Sequence, residues 1–273
     1  MRRIINYPPG RMQKLVLGTL PFLIILLAYI LASNARLEVA PADKIMPSFG
    51  SFYAAIVRLM TKVDPAIGQP VFWFDTWLSL GRLGTGLGIS ALIGLVLGIP
   101  IGFIPQLRAA FDPVLAALSL VPPLALLPIL FIAFGLGELS KMVLIVFGVA
   151  PFLVRDVVLR VAAIPREQIV KAQTLGASTW QMLLDVVLPQ VMPRLIDSVR
   201  LSLGTAWLYV IAAEAITAEG GLGYRIFLVR RYLAMDVILP YVAWITLIAY
   251  LMDFALSRLS RKGFAWAHVE ERR

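Results

Sequence analysis

The 273-residue chain is too apolar for an ordinary soluble protein. Apolar residues make up 60% of it and charged residues 15%, whereas soluble domains average about 45–50% and about 25%. This composition excludes a soluble enzyme and a disordered chain. The sequence has no Cys, which excludes disulfides and thiolate metal sites. A net charge of +9 suggests nucleic-acid binding in a soluble protein, but in a membrane protein the positive-inside rule accounts for it. We predict a membrane protein that binds neither nucleic acid nor metal.

Long uncharged segments predict the membrane spans, because a ~30 Å hydrocarbon core needs roughly 20 apolar residues in a helix. Three segments are long enough by themselves: 15–35, 83–107 and 113–137, with 21, 25 and 25 residues. Three more become long enough only when a flanking charge joins the helix: about 141–163, 192–215 and 236–257. Such a charge is expected to face protein or a water-filled cavity. The predicted fold class is an all-α polytopic membrane protein with six transmembrane helices.

The distribution of Lys and Arg predicts the orientation. Fifteen of them lie in the two tails, in the turn after the second span and in the segment from Arg155 to Arg194, against nine on the opposite side. Because cytoplasmic loops carry the excess, both termini are predicted to be cytoplasmic. The predicted organisation is a cytoplasmic tail 1–14, a first span 15–35, a periplasmic loop 36–77 with a short amphipathic helix, a core 78–265 with the other five spans, and a cytoplasmic tail 266–273.

The first span also resembles a signal peptide, with basic residues, an apolar stretch and Ser33-Asn34-Ala35. Its roughly 18–20 apolar residues exceed the usual ~7–15 of a signal-peptide core. We therefore predict a retained helix, and cleavage is the alternative. The single His, His268, lies in the polar tail, which excludes histidine-based metal or proton chemistry inside the membrane.

Two other classes of membrane protein are alternatives to consider. An ion-coupled secondary transporter is usually built from inverted repeats, and the sequence shows no internal repeat. An intramembrane enzyme needs a converging cluster of acids, His or Ser inside the spans. Only Asp197, Asp253 and a few hydroxyls qualify, and they lie near span ends. Neither alternative is favoured by the sequence.

The second span carries glycines at four-residue spacing, at Gly94, Gly98 and Gly102. Small residues at this spacing form a flat ridge on which another helix approaches closely. Gly84 and Gly88 are expected to extend the same row. Helix packing is the simpler interpretation of the ridge, and a moving contact is the alternative.

The third span contains the sequence VPPLALLP, with Pro122, Pro123 and Pro128. Each proline lacks an amide donor and clashes with the preceding turn, so this helix is predicted to be kinked or broken. Freed carbonyls inside a membrane are tolerated only against protein or a wet cavity. The break serves either packing or the lining of a substrate path.

Charged residues show that the segment from Arg160 to Pro193 is not a span. Pro165 suits the start of a helix, which brings Ile169, Ala172 and Leu175 onto one side. The helix is expected to stop at Gly176-Ala177. We predict a helix pair that protrudes on the cytoplasmic side and docks to a partner; a solvated loop is the alternative.

The second helix of this pair is predicted from its start and its end. Ser178 followed by Gln181 has the form of a capping box, and the helix is expected to end before Pro189. A simple loop needs neither a capping box nor an apolar face.

The segment KAQTLGASTWQMLLDVVLP resembles the EAA loop of ABC importer permeases. The matching positions are the triplet Val170-Lys171-Ala172, then Gly176, Val186 and Leu188-Pro189. The chain departs from the family at the Glu and first Ala of the triplet, which are Val170 and Lys171 here. VPPLALLP, FGLGELSK, the run with Arg200, Gly204, Trp207 and Glu214, and Gly221 to Gly223 are similar to the branch that imports nitrate, bicarbonate, taurine and alkanesulfonates. The resemblance covers roughly residues 75–268.

This resemblance implies a type I ABC importer permease in the bacterial inner membrane. It implies a periplasmic binding protein that delivers the solute, two ATPase subunits and a second permease copy, as a homodimer. ATP and Mg²⁺ belong to the ATPase; this chain has no Walker-type phosphate loop, is expected to bind no cofactor and is not itself an enzyme. The coupling helix is expected at about 166–188, with Gly176 at its apex. The implied coupling residues are Val170, Lys171, Ala172, Leu175, Gly176, Ala177, Ser178, Leu188 and Pro189.

A few intramembrane residues are candidates for the translocation path: Pro122, Pro123, Arg200, Trp207 and Glu214. Arg200 and Asp197 lie three apart and share a helix face, so they form either a structural ion pair or, for Arg200, an anion-attracting site. Glu214 lies near the outer end of its span, where a gate or a contact with the binding protein is expected. Arg82 and Arg230-Arg231 are expected to anchor at lipid headgroups or at a docked partner.

Overall fold

The computed structural model describes residues 10–39, 43–217 and 219–268, and every regular element in these ranges is helical. The predicted tails therefore lie partly outside the described residues, at 1–9 and 269–273. The helices are α1 (Arg11–Val39), α2 (Phe49–Thr61), α3 (Val71–Phe103), α4 (Pro105–Leu120), α5 (Leu127–Phe134), α6 (Glu138–Ala162), α7 (Arg166–Thr174), α8 (Thr179–Gln181), α9 (Leu188–Thr217), α10 (Leu222–Arg230) and α11 (Met235–Gly263). Short 3₁₀ turns lie at Pro123–Leu126 and Ala265–His268.

Five of these helices, α1, α3, α6, α9 with the segment before it, and α11, are long and apolar enough to cross a membrane. The pair of α4 and α5, which meet at an angle of 82°, makes the sixth span when the two helices are counted as one broken span. The break falls at Val121-Pro122, and the consecutive prolines Pro122 and Pro123 have no amide donor there. The predicted six-span, all-α fold and the predicted break in the third span are both confirmed.

The spans are longer than the uncharged segments from which they were predicted. α3 begins at Val71 and so contains Asp75 and Arg82, and α6 begins at Glu138 and contains Lys141. Asp75, Arg82 and Lys141 are all at most 3% exposed. Each is neutralised by a partner inside the protein, which is why its charge does not end the helix.

The core lies among α3, α6, α9 and α11. Its fully buried side chains include Leu83 of α3, Leu153 of α6, Val210 of α9 and Tyr241 of α11. α1 stays outside this core: none of its most apolar window is buried. α2 lies beside α11 and α3 and contributes Ala55 to the core.

One prediction about the amphipathic segment is wrong. The helix that starts after Ser178 does not end before Pro189; it continues as one helix from Thr179 to Ile216. A π-helical stretch at Met182–Val187 makes this continuation feasible, and there the Leu188 amide bonds the carbonyl of Leu183, five residues back. The wider turn shifts the register of the helix just where Pro189 has no amide to donate.

Candidate functional site: an exposed helix corner and a buried charge cluster

The corner between α7 and α8 is built by backbone geometry. Gly176 has φ +82°, which favours glycine because it has no Cβ. Its amide bonds the carbonyl of Gln173 at 2.9 Å, and the Ala177 amide bonds that of Ala172 at 3.0 Å. These two bonds form a Schellman motif, which satisfies the last carbonyls of α7. The predicted end of the first helix at Gly176 is confirmed.

The start of α8 is fixed by the predicted capping box. The Gln181 amide donates to Ser178 Oγ at 3.3 Å, and the Ser178 amide donates to Gln181 Oε1 at 2.8 Å. α7 is also tied to α9, because Gln190 Nε2 donates to Gln168 Oε1 at 3.0 Å. The corner is therefore held in a defined shape relative to the spans.

The corner presents apolar side chains to its surroundings. Val170, Leu175 and Trp180 are 54%, 80% and 67% exposed. Lys171, Gly176 and Ser178 are exposed, Ala172 and Ala177 are half-buried, and Leu188 and Pro189 lie in the first turn of α9. Ile169, by contrast, packs against the core. An exposed apolar surface on a rigid, capped corner is suited to docking a partner.

A second group of residues forms a cluster of buried charges where α3, α6, α9 and α10 meet. Arg82 of α3 is at its centre. Its Nη1 donates to Glu214 Oε1 at 2.7 Å and to the carbonyl of Gly220 at 2.9 Å. Its Nε and Nη2 donate to the two oxygens of Glu138 at 2.6 and 2.7 Å. The prediction that Arg82 anchors at headgroups or at a docked partner is wrong, because these carboxylates draw its side chain inward.

Asp75 forms the second branch of the cluster. Its Oδ2 accepts from Arg225 Nε at 2.8 Å and from the Tyr241 hydroxyl at 3.3 Å, and its Oδ1 accepts from the Gly221 amide at 2.9 Å. Burial opposes the charge of Arg225, but the hydrogen bonds and the charge of Asp75 outweigh it, so the pKa of Arg225 is raised above its ordinary value. The branch joins α3 to α10 and α11.

Side chains of α3 and α9 bind the backbone of the turn between α9 and α10. Glu214 Oε2 accepts from the Gly223 amide, and Ser79 Oγ accepts from the Leu222 amide, both at 2.8 Å. Gly221 has φ +124°, and a Cβ there would lie 2.5 Å from the Glu214 carboxylate. The Gly-Leu-Gly sequence is thus needed for the backbone to approach the buried carboxylate.

The glycine ridge of α3 packs against α6. A Cβ on Gly98 or on Gly102 would lie 2.7 Å from the Cβ of Val157 or Val161, and a Cβ on Gly94 would lie 3.2 Å from that of Leu153. The row continues to Gly86, where a Cβ would meet Ile145.

The predicted extension of the row to Gly84 and Gly88 is wrong. A Cβ at either position would meet nothing within 4 Å. Four-residue steps back from Gly94 reach positions 90 and 86, and the two predicted positions lie about 200° around the helix from that face.

The candidate path residues lie in different parts of the molecule. Pro122 is exposed and Pro123 half-buried at the break between α4 and α5. Arg200 is paired with both Asp253 of α11, at 2.9 Å, and Asp197, at 3.3 Å. Trp207 and Glu214 are buried in the core, and among the buried side-chain polar atoms of the described residues Trp207 Nε1 is the one without a hydrogen-bond partner.

The sequence pointed to Glu214 and to the charges that flank the spans, but not to their association. Asp75, Ser79 and Tyr241 were not singled out, although Asp75, Ser79 and Arg82 lie near one helix face at spacings of four and three. That spacing was the available signal. In the described residues, no group of three or more His, Cys, Asp or Glu side chains is arranged to hold a metal ion.

The helical spans and the capped, exposed corner are accompanied by a direct family match. Residues 90–262 match the family described as binding-protein-dependent transport system inner membrane component. The chain belongs to this family. It is therefore a membrane component of a transport system, not an enzyme.

Two permeases that are similar in sequence align with most of the chain. The taurine transport system permease protein TauC of Escherichia coli is 32% identical over 263 residues, which cover 96% of this chain and 92% of that protein. The bicarbonate transport system permease protein CmpB of Synechococcus elongatus is 33% identical over 199 residues, which cover 71% and 70%. The resemblance to the taurine, sulfonate and bicarbonate branch is confirmed.

Solved structures show the same fold. A structure of the MetNI methionine ABC transporter in an inward-facing conformation aligns with a TM-score of 0.57 and 24% identity over 68% of this chain and 96% of that chain. A bacterial alginate ABC transporter, in complex with a periplasmic protein bound to an alginate pentasaccharide, aligns with a TM-score of 0.63 and 15% identity over 93% and 98%. The fold is that of an ABC importer permease.

Proposed function

We propose that this permease forms half of the translocation path of an ATP-driven importer for a small oxyanion, such as a sulfonate or bicarbonate. A periplasmic binding protein delivers the solute, two ATPase subunits drive transport, and a second copy of the chain completes the path. The proposal is supported by family membership and by two relatives, one a taurine and the other a bicarbonate transport permease. The chain would lie in the bacterial inner membrane with both termini in the cytoplasm.

The single observation that carries the coupling part of the proposal is the exposed corner at Gly176. Leu175 and Trp180 flank it and expose most of their apolar surface, on the side that the Lys and Arg count assigns to the cytoplasm. We assign this corner to the ATPase as its docking element. Val170 stands where the family has its Glu, so docking would rest on apolar contact more than on a salt bridge.

The size of the contact sets the expected effect of a mutation. Burying a Leu side chain contributes about 1.5–3 kcal/mol, which corresponds to roughly 10–150-fold in affinity. Leu175→Arg removes this contribution and places a charge in the contact. Leu175 is exposed, so the change leaves the packing of the spans intact.

The test is co-purification and ATP hydrolysis with the ATPase subunit of the same transport system. Leu175→Arg is expected to lower the affinity for the ATPase at least about tenfold and to abolish hydrolysis stimulated by the binding protein. Trp266→Arg is the matched control, because Trp266 is also exposed and lies on the same predicted side. Equal binding by both variants would refute the assignment of the corner.

The substrate class is tested with the assembled complex. Taurine, an alkanesulfonate, bicarbonate and nitrate are each added with the loaded binding protein, and ATP hydrolysis is measured in liposomes. One oxyanion is expected to stimulate hydrolysis and to accumulate inside. Accumulation driven by an ion gradient without any ATPase would instead establish the alternative of an ion-coupled transporter.

We infer that Arg200 forms a structural ion pair and does not attract the solute. Two carboxylates, Asp197 and Asp253, neutralise its guanidinium. We therefore place the choice of solute mainly in the binding protein. Arg200→Lys, which keeps the charge but not the bidentate bond to Asp253, is expected to change stability more than solute preference.

A further inference from the structure

A large apolar cavity lies outside the core, between α1, α2, α3 and α11. Its volume is about 800 Å³, within the roughly 300–1,000 Å³ typical of ligand sites. The residues that line it are almost all aliphatic or aromatic, among them Phe22 and Tyr29 of α1, Phe49 and Phe52 of α2, and Leu239 and Leu247 of α11. The family's transport function assigns no role to this cavity.

Water is a poor occupant of this cavity. Its two polar-tipped aromatic side chains use their polar atoms within the protein: the Tyr29 hydroxyl donates to the Pro47 carbonyl at 2.7 Å, and Trp244 Nε1 donates to Thr76 Oγ1 at 3.0 Å. A buried water needs two to four polar partners, which these walls do not offer. Because α1 is unburied along its apolar window, the cavity is open to the hydrocarbon of the bilayer.

A polar pocket of about 340 Å³ adjoins one end of this cavity. Residues of α1, of α11 and of the start of α2 line both spaces. On α11 the polar pocket takes Asp236 and the apolar cavity begins at Leu239; at α2 it takes Ser48 and Ser51, next to Phe49 and Phe52.

On α1, Leu37 lines the polar pocket, and residues between Phe22 and Tyr29 line the apolar cavity. The apolar part extends about 12 Å along α11, from Leu239 to Leu247, at roughly 1.5 Å per residue. The combined space is therefore amphipathic and elongated, and its polar end is at the predicted periplasmic side.

The polar pocket carries both signs of charge. Lys44 and Asp236 line it together with two hydroxyls, those of Ser48 and Ser51. The third charge, Asp43, is already bonded to Arg36 and to the Ile45 amide, and these bonds lower its pKa. The Ser51 hydroxyl already donates to the Ser48 carbonyl at 2.7 Å, and Ser48 Oγ accepts from the Ser51 amide at 3.2 Å. Lys44 is suited to a phosphate, and Asp236 is suited to an ammonium group.

We propose that these two spaces together bind one bilayer glycerophospholipid with an ethanolamine headgroup. The acyl chains fill the apolar cavity and link α1 to α11, while the phosphate contacts Lys44 and the ammonium contacts Asp236. This lipid would complete the packing of α1, which the protein alone leaves outside the core. A second copy of the chain is the competing occupant.

Native mass spectrometry of the purified full-length protein tests the proposal with defined lipids. The protein is stripped of lipid in detergent and offered dioleoyl phosphatidylethanolamine, dioleoyl phosphatidylglycerol or dioleoylglycerol. We expect the protein to retain one ethanolamine lipid per chain. Retention of the other two lipids is expected to be weaker by about tenfold or more, because phosphatidylglycerol lacks the ammonium group and dioleoylglycerol lacks the whole charged headgroup. Equal retention of all three would overturn the headgroup assignment.

Two variants locate the site. Ala243→Phe fills the cavity from an exposed position and is expected to abolish retention, whereas Ala117→Phe, also exposed but on α4, leaves it unchanged. Lys44→Glu opposes the phosphate and is expected to lower retention about tenfold or more. Equal retention by both Phe variants would overturn the site.

A cysteine experiment distinguishes lipid from a second copy. The natural chain has no Cys, so Leu26→Cys introduces one thiol at the cavity wall. We expect no disulfide-linked dimer under oxidation in the membrane, because lipid occupies the cavity. Efficient dimer formation would show that a second copy lies there and would overturn the proposal.

Discussion

Removal of Arg82 is the sharpest test of the buried charge cluster. Arg82 is 3% exposed and bonds two carboxylates that differ in their access to solvent, Glu138 at 48% and Glu214 at 0% of the side chain. In Arg82→Met, Glu138 keeps Lys141 and water as partners, but Glu214 keeps a buried charge without a counter-ion. Breaking a buried pair in this way costs about 3–5 kcal/mol.

The assay is thermal unfolding of the purified protein in detergent, followed by intrinsic fluorescence. At about 2–4 °C per kcal/mol for a chain of this size, Arg82→Met is expected to lower Tm by about 6–20 °C. Arg108→Met is the control, because Arg108 is paired with Asp112 at the surface, and such pairs contribute about 0–1 kcal/mol.

The double variant Arg82→Met/Glu214→Gln separates charge from packing. It removes the unpaired carboxylate and leaves neutral groups, whose unmet hydrogen bonds cost about 1–3 kcal/mol. The double variant is therefore expected to be more stable than Arg82→Met alone. A loss of Tm in Arg82→Met no larger than in Arg108→Met would contradict a buried charge pair. So would a loss of Tm in the double variant equal to the sum of the losses in the two single variants.

Three further experiments test other parts of the structure. Gly98→Ala is expected to destabilise the protein by about 1–3 kcal/mol through a clash with α6. Gly88→Ala is expected to be neutral or to stabilise the protein by up to about 1 kcal/mol. Equal Tm values of the two variants in thermal unfolding would contradict the assigned glycine ridge. Asp75→Asn weakens the hold on Arg225 and is expected to increase amide hydrogen exchange in α10 several-fold, while unchanged protection would argue against this tie. Ser178→Ala removes the capping box at a cost of about 1 kcal/mol, so exchange should rise at the start of α8 with no effect on α3, and a global rise would count against a local role.

The helix count was predictable because it depends on local chemistry. A bilayer requires about 20 apolar residues per helix, and the prolines at 122 and 123 remove amide donors wherever the helix lies. Caps are equally local, so Gly176 and the Ser178 capping box were predictable from a few residues. The end of the helix before Pro189 was mispredicted, because the π-helical stretch changes what a proline does to a helix.

The buried cluster was not predictable in the same way. Asp75 and Arg225 are 150 residues apart, and Arg82 and Glu214 are 132 apart. Charges in such positions look like span boundaries when each helix is considered alone, since an isolated charge in the membrane is costly. Only a partner brought by another helix removes that cost.

The sequence by itself determined that this is a six-span membrane protein with a capped, exposed corner and a family resemblance carried by spaced motifs. The tertiary structure alone decided which charges lie inside, which glycines contact α6 and which apolar surface stays uncovered. The physical reason is range: hydropathy, caps and prolines act within a few residues, whereas the stability of a buried charge depends on side chains that meet only after the helices have packed.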